Sequence, residues 1–236
     1  MMLEEELAIR DQERVERDFV TNAAHELQSP LASIISAIEV LQAGAKDGPE
    51  RDVFLEHIER ASDRLARLVR SMLVLARAQS GIEQPRDELI ALGPVLEEIA
   101  AALNVAPGVE VRVSCPPDAA VVSNRELAEQ ALINLAENAA KHTAEGVIEL
   151  SARASETATV LVVSDTGPGI PAPERPHVFE RFYRGSGQGE GGFGLGLAIV
   201  HAAARSLGAE VELESAPGEG TVVRLRFPGT ATLVSE

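Results

Sequence analysis

The sequence has a single cysteine, few basic residues and no long apolar run, and each shortage removes a class of protein. Cys115 has no second cysteine with which to form an intramolecular disulfide or a metal cluster, which fits a structural thiol in a reducing compartment. With 21 Lys and Arg against 37 Asp and Glu the formal charge is −16, so the chain would repel a nucleic acid backbone. We therefore expect no nucleic acid partner, although the 45% hydrophobic content is enough for a folded core.

No stretch reaches the roughly 18 to 20 uninterrupted apolar residues that a membrane span needs. The N-terminal stretch 1–18 is dense in Glu, Asp and Arg and does not resemble a signal peptide. We expect a cytoplasmic chain, either a cytosolic protein or the cytoplasmic portion of an inner-membrane receptor. A membrane would then be a partner only through a missing N-terminal sensor region.

Two stretches place apolar residues at alternating spacings of four and three, the heptad pattern of packed helices. In the first stretch they are Val20, Ala24, Leu27, Leu31, Ile34, Ile38 and Leu41, and in the second they are Phe54, Ile58, Ala61, Leu65, Leu68, Met72 and Leu75. The break at Gln42–Pro49 predicts an antiparallel hairpin. Because one hairpin cannot cover both stripes, we expect a homodimer with a four-helix bundle; a monomeric helical pair packed on a second domain is the alternative.

After Gly81 the pattern changes to short alternating strands mixed with helices. The strands are predicted at 109–115, 147–152, 160–163, 210–214 and 221–227, and the helices at 94–103, 124–141 and 195–207. This mixture predicts an α+β sandwich, a mixed sheet with helices on one face. We place the boundary between the two domains near residues 81–88.

His25 is the candidate nucleophile of the first helix. A neutral imidazole nitrogen can attack phosphorus if the other ring nitrogen loses its proton, and Glu26 is the nearest base. Ser29 lies one turn further on the same face, and Pro30 removes a helical hydrogen bond and predicts a bend. Taken alone, a histidine on a helix is more often a solvated or capping residue than a nucleophile. A zinc-protease motif is excluded, because Ser29 stands where H-E-x-x-H needs its second histidine.

Asn134, Asn138 and Lys141 fall within about 60° of one another on one predicted helix. An Asn carbonyl is a hard ligand that suits Mg²⁺ on a triphosphate, and a lysine can meet phosphate as a point charge. A solvated helix surface is the alternative explanation. The arrangement favours a nucleotide site without establishing it.

A predicted strand runs into Asp165-Thr-Gly-Pro-Gly. A carboxylate at a strand end can accept a hydrogen bond from an exocyclic amine, and the missing side chains of Gly167 and Gly169 would let a flat base approach. This suits adenine. A turn of this composition also occurs for conformational reasons alone.

Seven of the twelve residues from Gly185 to Gly196 are glycine, so the segment is expected to be mobile until a ligand orders it. It leads into an apolar helix whose N-terminal amides can hold phosphate oxygens. The match to G-x-G-x-x-G at Gly187, Gly189 and Gly192 is rejected because no strand precedes it. The chain also lacks G-x-x-x-x-G-K-[ST], which excludes a P-loop enzyme.

In this order, the motifs resemble those of two-component sensor histidine kinases, and the similarity spans about residues 15–228. His25-Glu-Leu-Gln-Ser-Pro-Leu is similar to the H box and Asn134 to Thr143 to the N box. Asp165-Thr-Gly-Pro-Gly is similar to the first glycine box, and the segment 179–184 is similar to the F box. Gly192-Phe-Gly-Leu-Gly-Leu is similar to the second glycine box, and Gly218-Glu-Gly220-Thr221 is similar to a phosphate-side element.

The resemblance implies a phosphoacceptor hairpin followed by a GHKL-type ATP-binding domain, the class shared by gyrase, histidine kinases and mismatch-repair proteins. It implies His25 as phosphoacceptor, Glu26 as base, Asn138 as Mg²⁺ ligand and Asp165 as adenine reader. It implies Lys141 and Arg184 as phosphate contacts and Ser29 at the position linked to dephosphorylation of the partner. The other implied ATP-binding residues are Asn134, His142, Gly167, Gly169, Ile170, Gly192, Gly194, Leu195, Gly196, Leu197 and Thr221.

Three positions depart from the family pattern: Gln28 replaces a frequent Arg, Ser29 a frequent Thr, and His142 the aromatic residue beside the base. The last departure weakens the expected stacking on adenine, and the balance of kinase to phosphatase activity stays open.

The implied organisation is a charged linker helix (1–18), the dimerisation and phosphotransfer hairpin (19–80), a linker (81–90), the ATP-binding domain (91–229) and a tail (230–236). The expected reaction uses ATP and Mg²⁺ to phosphorylate His25, from which the group passes to an aspartate of a response regulator receiver domain. Two alternatives are an ATP-driven clamp without phosphohistidine and a scaffold or phosphatase that binds the regulator.

Overall fold

The computed structural model describes residues 2–43, 48–80, 87–155, 157–185, 192–229 and 231–232. The chain divides into two compact units, residues 1–73 and 74–236, each of which is described by itself. Among the described residues, no helix has both the length and the apolar character required to cross a membrane.

Two long helices, α1 (Met2–Ala43) and α2 (Pro49–Ser80), form the predicted hairpin, and the first unit contains α1 and α2 as far as Leu73. Pro49 suits the first position of α2 because a proline lacks the N–H that would stay unpaired there, and Glu50 and Asp52 favour the helix N-terminus electrostatically. Pro30 lies inside α1, which continues through it. The middle of the predicted break, residues 44–47, lies outside the described residues.

The hairpin buries only part of its apolar surface. In α1 the buried positions Ala23, Pro30 and Ala37 recur every seven residues. Among the apolar residues of the heptad pattern predicted for α1, Leu31 and Ile38 remain 48% and 39% exposed. A single chain therefore leaves an apolar stripe of α1 in contact with solvent, as the sequence predicted for one hairpin.

The second unit contains the predicted α+β domain. Its elements are β1 (Glu88–Ala91), α3 (Leu92–Ala102), β2 (Gly108–Ser114), β3 (Ala119–Ser123), α4 (Arg125–His142), β4 (Glu145–Ala154), β5 (Ala158–Asp165), a 3₁₀ turn (Arg175–His177), α5 (Gly196–Ser206), β6 (Glu210–Ala216), β7 (Gly220–Pro228) and β8 (Ala231–Thr232). The main sheet has the order β2-β4-β5-β7-β6, in which β2 and β4 are parallel and the other pairs antiparallel. The mixed sheet predicted from the sequence is confirmed.

Helices α3, α4 and α5 pack on one face of this sheet and enclose the core. Leu96 of α3, Leu132 of α4 and Val200 of α5 are fully buried, as are Ile148 and Leu161 of the sheet. Each buried aliphatic side chain of this size contributes roughly 1.5 to 3 kcal/mol, so this layer is the main source of stability of the unit.

A smaller sheet of order β1-β3-β8 was not predicted. The buried hydroxyl of Thr159 on β5 donates a hydrogen bond to the carbonyl of Ala120 on β3, at 3.2 Å, and so joins the two sheets. Strands of two to five residues carry too few alternating positions to be recognised in a sequence.

Helix α4 has a defined start because the side-chain oxygen of Asn124 accepts a hydrogen bond from the N–H of Leu127 at 2.9 Å. We expect Asn124→Ala to lower the free energy of unfolding of this unit by about 1 kcal/mol, the usual value of an N-cap. Urea unfolding followed by the fluorescence of Tyr183, the only tyrosine of a chain without tryptophan, measures this unit selectively.

Two control variants accompany this measurement. Asn124→Asp keeps an acceptor oxygen and is expected to retain most of the stability, while Asn104→Ala changes an exposed asparagine after α3. An Asn124→Ala midpoint equal to that of the unaltered protein would contradict the capping role.

Candidate functional site

The predicted phosphoacceptor residues lie on the surface of α1. His25 and Ser29 are exposed, one helical turn apart. Glu26 is half-buried, and its carboxylate accepts a hydrogen bond from the Arg64 guanidinium of α2 at 3.3 Å. The imidazole is therefore accessible to a second molecule, and the adjacent carboxylate is held by a cation.

Asp165 ends β5, and its carboxylate is fixed by backbone donors. Oδ1 accepts the N–H of Gly167 at 2.8 Å, and the carboxylate also accepts the N–H of Thr221. Burial raises the pKa of Asp165, while these two hydrogen bonds act in the opposite direction. The result is an oriented carboxylate at the end of a central strand of the sheet.

Close backbone packing explains the glycines that follow Asp165. A Cβ on Gly167 would lie 2.9 Å from the carbonyl oxygen of His142, and one on Gly169, where φ is +70°, would overlap the carbonyl of Ala216. The space that the sequence argument assigned to a flat base at these two positions is thus taken up by protein atoms. The missing side chains allow the turn to pack against the end of α4 and against β6.

Ser215 of β6 is a further residue of this region, and it belongs to none of the motifs found in the sequence. Its hydroxyl accepts the N–H of Ile170 at 2.8 Å, donates to the carbonyl of Gly220 at 2.8 Å and lies 3.0 Å from the Thr221 hydroxyl. One side chain therefore joins the turn after Asp165 to the turn before β7. The sequence contains one indication of this role: Ser215 and Thr221 lie on either side of a Pro-Gly-Glu-Gly turn, and such a turn predicts a hairpin in which the two hydroxyl residues are paired.

The half-buried Asn134 and Asn138 of α4 lie one turn apart. The Asn134 amide donates to the carbonyl of Gln130 at 2.7 Å, and its Oδ1 lies 3.5 Å from the position that a Cβ on Gly196 would occupy. Gly196 is the first residue of α5. The polar face of α4 and the N-terminus of α5 are thus neighbours, as a site built from both motifs requires.

Basic side chains gather at the end of α4. The Nζ of Lys141 lies 3.4 Å from the position of a Cβ on Gly192, and burial followed by the charge of Arg184 lowers the pKa of Lys141. Burial followed by the charge of Lys141 lowers the pKa of His142. Because like charges are held together here, an anionic ligand would be favoured electrostatically.

The second glycine box is anchored to the F box. Phe182 donates its N–H to the carbonyl of Gly194 at 2.9 Å, and a Cβ on Gly194 would overlap the carbonyl of Tyr183. Phe182 itself has φ +62°, a strained conformation for an aromatic residue that the sequence did not indicate. Leu195 is buried and Leu197 half-buried, which fixes the start of α5. Gly187, Gly189 and Gly191 of the predicted glycine-rich segment lie outside the described residues.

The predicted nucleotide residues thus gather around the end of α4, through the contact of His142 with Gly167 and that of Lys141 with Gly192. His25, Glu26 and Ser29 belong to the other unit. The arrangement combines an oriented hydrogen-bond acceptor, a basic cluster and a helix N-terminus, the groups that a purine nucleotide requires.

Two protein families match the chain. Residues 15–81 match the family described as "His Kinase A (phospho-acceptor) domain", and residues 123–231 match "Histidine kinase-, DNA gyrase B-, and HSP90-like ATPase". The first range covers most of the hairpin, and the second begins just before α4 and ends in β8.

Two curated sensor histidine kinases are similar to the chain over most of its length. The chain is 31% identical to "Sensor-like histidine kinase SenX3" of Mycobacterium tuberculosis over 92% of this chain and 54% of that protein. It is 34% identical to "Probable sensor histidine kinase TcrY" of the same organism over 93% of this chain and 47% of that protein. The chain therefore spans about half the length of these relatives.

Solved structures support the fold. The histidine kinase AdeS of Acinetobacter baumannii superimposes with a TM-score of 0.72 at 22% identity, over 86% of this chain and 97% of that chain. Full-length ShkA, solved in complex with AMPPNP, gives a TM-score of 0.67 at 26% identity over 92% of this chain and 47% of that chain. With both modules matched in sequence order, the chain belongs to the sensor histidine kinases and contains their phosphoacceptor and ATPase domains.

Proposed function

We propose that this chain transfers the γ-phosphoryl group of ATP to its own His25 and then to an aspartate of a response regulator receiver domain. The observation that carries the proposal is the convergence of Asp165, Lys141 and the glycine turns in one unit, combined with an exposed histidine in the phosphoacceptor module. Such a protein would act in the cytoplasm, where ATP and the receiver domain are found.

The domain organisation predicted from the sequence is part of this proposal. The phosphoacceptor match ends at residue 81 and the ATPase match begins at residue 123, a gap that includes the predicted linker 81–90, whereas the compact units of the structure divide between residues 73 and 74. Residues 81–86 of that linker and most of the tail 230–236 lie outside the described residues.

In the proposed nucleotide site Asp165 accepts a hydrogen bond from the adenine amine, and Lys141 and Arg184 contact the phosphates. Burial, followed by the charge of Arg184, lowers the pKa of Lys141, and a nearby phosphate would offset both effects by stabilising the ammonium form. The α5 N-terminus, with Gly194, Leu195, Gly196 and Leu197, adds backbone amides. The AMPPNP complex of ShkA supports a nucleotide of this class.

Mg²⁺ belongs with the triphosphate in this proposal. Asn138 offers a hard amide oxygen on the same half-buried face of α4 as Asn134, which fits a cation that prefers oxygen ligands and retains several waters. The ion would neutralise phosphate charge when bound. A neutral amide contributes a ligand without adding negative charge beside the phosphates.

The proposed chemistry at His25 is a displacement at phosphorus. A ring nitrogen of the neutral imidazole bonds to the γ-phosphorus as the bond to the β,γ-bridging oxygen breaks, and ADP leaves. The other ring nitrogen gives up its proton to Glu26. The guanidinium of Arg64, 3.3 Å from the carboxylate, holds Glu26 in place beside the histidine.

A homodimer is the proposed assembly. Leu31 and Ile38, one heptad apart, leave much of their apolar surface exposed on the single hairpin, and a second copy would cover this stripe in a four-helix bundle. The phosphoacceptor class is a dimerisation module in general, which supports the same arrangement.

Dephosphorylation of the regulator is the second candidate activity. The exposed Ser29 one turn from His25 favours it, because its hydroxyl can position a water near a phosphoryl group docked on α1. An ATP-driven clamp without phosphohistidine is a further alternative, and the labelling experiment below distinguishes it.

The phosphorylation site is tested by incubating the purified chain with γ-labelled ATP and Mg²⁺. We expect acid-labile label that falls at least about 100-fold in His25→Gln, since glutamine offers no nucleophilic nitrogen. His57→Gln, at an exposed histidine of α2, is the matched control and should keep the label. Label that persists in His25→Gln would contradict the site, and ATP turnover without labelled protein would favour the clamp.

The adenine contact is tested by calorimetric titration with ADP. Asp165→Asn should weaken binding by about 10- to 100-fold, the value of a hydrogen bond to a charged group. In the unaltered protein the affinity should fall as the pH drops through the pKa of Asp165, and this fall should begin above the range of an ordinary aspartate because burial raises that pKa. An affinity that is unaffected by Asp165→Asn would contradict the assignment.

The dimer is tested by sedimentation. Leu31→Glu places a charge on the exposed stripe of each copy, so we expect the dissociation constant of the dimer to rise by about 100-fold. Ser33→Glu adds the same charge about 200° around the helix and serves as the matched control. Equal dissociation constants for the two variants would exclude this face as the interface.

A further inference from the structure

A row of polar side chains crosses the end of the main sheet. Asp165 of β5 is paired with Thr221 of β7, and Thr221 is paired with Ser215 of β6. Residues directly opposite in antiparallel strands present their side chains on the same face. Asp165 is also paired with Ile148 of β4, a core residue, so the row lies on the face covered by the helices.

The Ser215 hydroxyl uses all of its hydrogen-bonding capacity. A hydroxyl has one hydrogen and two lone pairs. Its hydrogen goes to the carbonyl of Gly220, which can only accept, and one lone pair accepts the N–H of Ile170. In the remaining contact, the 3.0 Å pair with Thr221, the hydrogen must therefore come from Thr221.

This direction determines what Thr221 can offer a ligand. Because its only hydroxyl hydrogen points to Ser215, the Thr221 oxygen presents lone pairs to the site. The neighbouring Asp165 carboxylate, when ionised, is also an acceptor without a hydrogen to donate. Two hydrogen-bond acceptors thus stand side by side at the end of β5 and β7.

We propose that Ser215 is a positioning residue that sets the base specificity of the nucleotide site: by holding the hydroxyl hydrogen of Thr221, it makes the site select purines with an exocyclic amine over purines with a carbonyl in that position. An amine supplies hydrogens to these acceptors, whereas the carbonyl of hypoxanthine or guanine meets them with lone pairs. A site built around one hydrogen-bond pattern rejects the opposite one strongly. The inference rests on the proposed nucleotide function.

The test is a calorimetric titration of the full chain with ADP and with inosine diphosphate. Inosine diphosphate has a carbonyl in place of the exocyclic amine and a hydrogen on the adjacent ring nitrogen. In Ser215→Ala the Thr221 hydrogen is released and can turn toward the ligand. We expect the preference for ADP over inosine diphosphate to fall about 3- to 10-fold, the value of one neutral hydrogen bond. Ser215→Thr keeps a hydroxyl and should restore the ratio, and Ser114→Ala, at an exposed serine of β2, should leave it unchanged.

The ratio separates this role from a structural one. Loss of the Ile170 contact alone would weaken both ligands equally, so an unchanged ratio in Ser215→Ala overturns the inference. Should that variant fail to fold, Thr221→Val removes the same hydroxyl, and an unchanged ratio there overturns it as well. If the unaltered protein binds neither nucleotide, the proposed function fails too; if it binds ADP and the ratio does not move, only the role of Ser215 is rejected.

Discussion

The orientation of the Asp165 carboxylate is the constraint on which the nucleotide site depends. The N–H groups of Gly167 and Thr221 hold it at the end of β5, against the unfavourable burial that raises its pKa. Both donors are backbone groups, so the carboxylate stays in place only while the two turns keep their shape. Gly169 and Gly220 allow this because their backbones approach other strands too closely for any side chain.

In the proposed reaction, the two modules of this sensor histidine kinase contribute different chemical groups. The hairpin contributes an accessible imidazole at His25 and a carboxylate at Glu26 held by Arg64. The other module contributes an acceptor for the base, cations for the phosphates and the N-terminus of α5. Phosphoryl transfer needs chiefly positioning and charge neutralisation, which explains why the chemistry can be shared by residues of two separate units.

The sequence predicted the fold class, all five strands of the main sheet and the helices, because these elements have long periodic patterns. It missed β1, β3 and β8, which are short and are defined by pairing across the fold. In the site, the motif residues were predicted, but the reason for Gly167 was not, since only the structure brings His142 against it. Ser215 was missed for the same reason: its role comes from three partners that β6 and the turns bring together.

The most direct test of the central claim is the pKa of Asp165 itself, measured by carbon NMR of the labelled carboxyl with and without ADP. The free protein should titrate above the ordinary range of an aspartate because the group is partly buried. ADP should shift this pKa downward, because an amine donor stabilises the ionised form. A pKa that is the same with and without saturating ADP would mean that Asp165 does not contact the base, and the proposed site would be wrong.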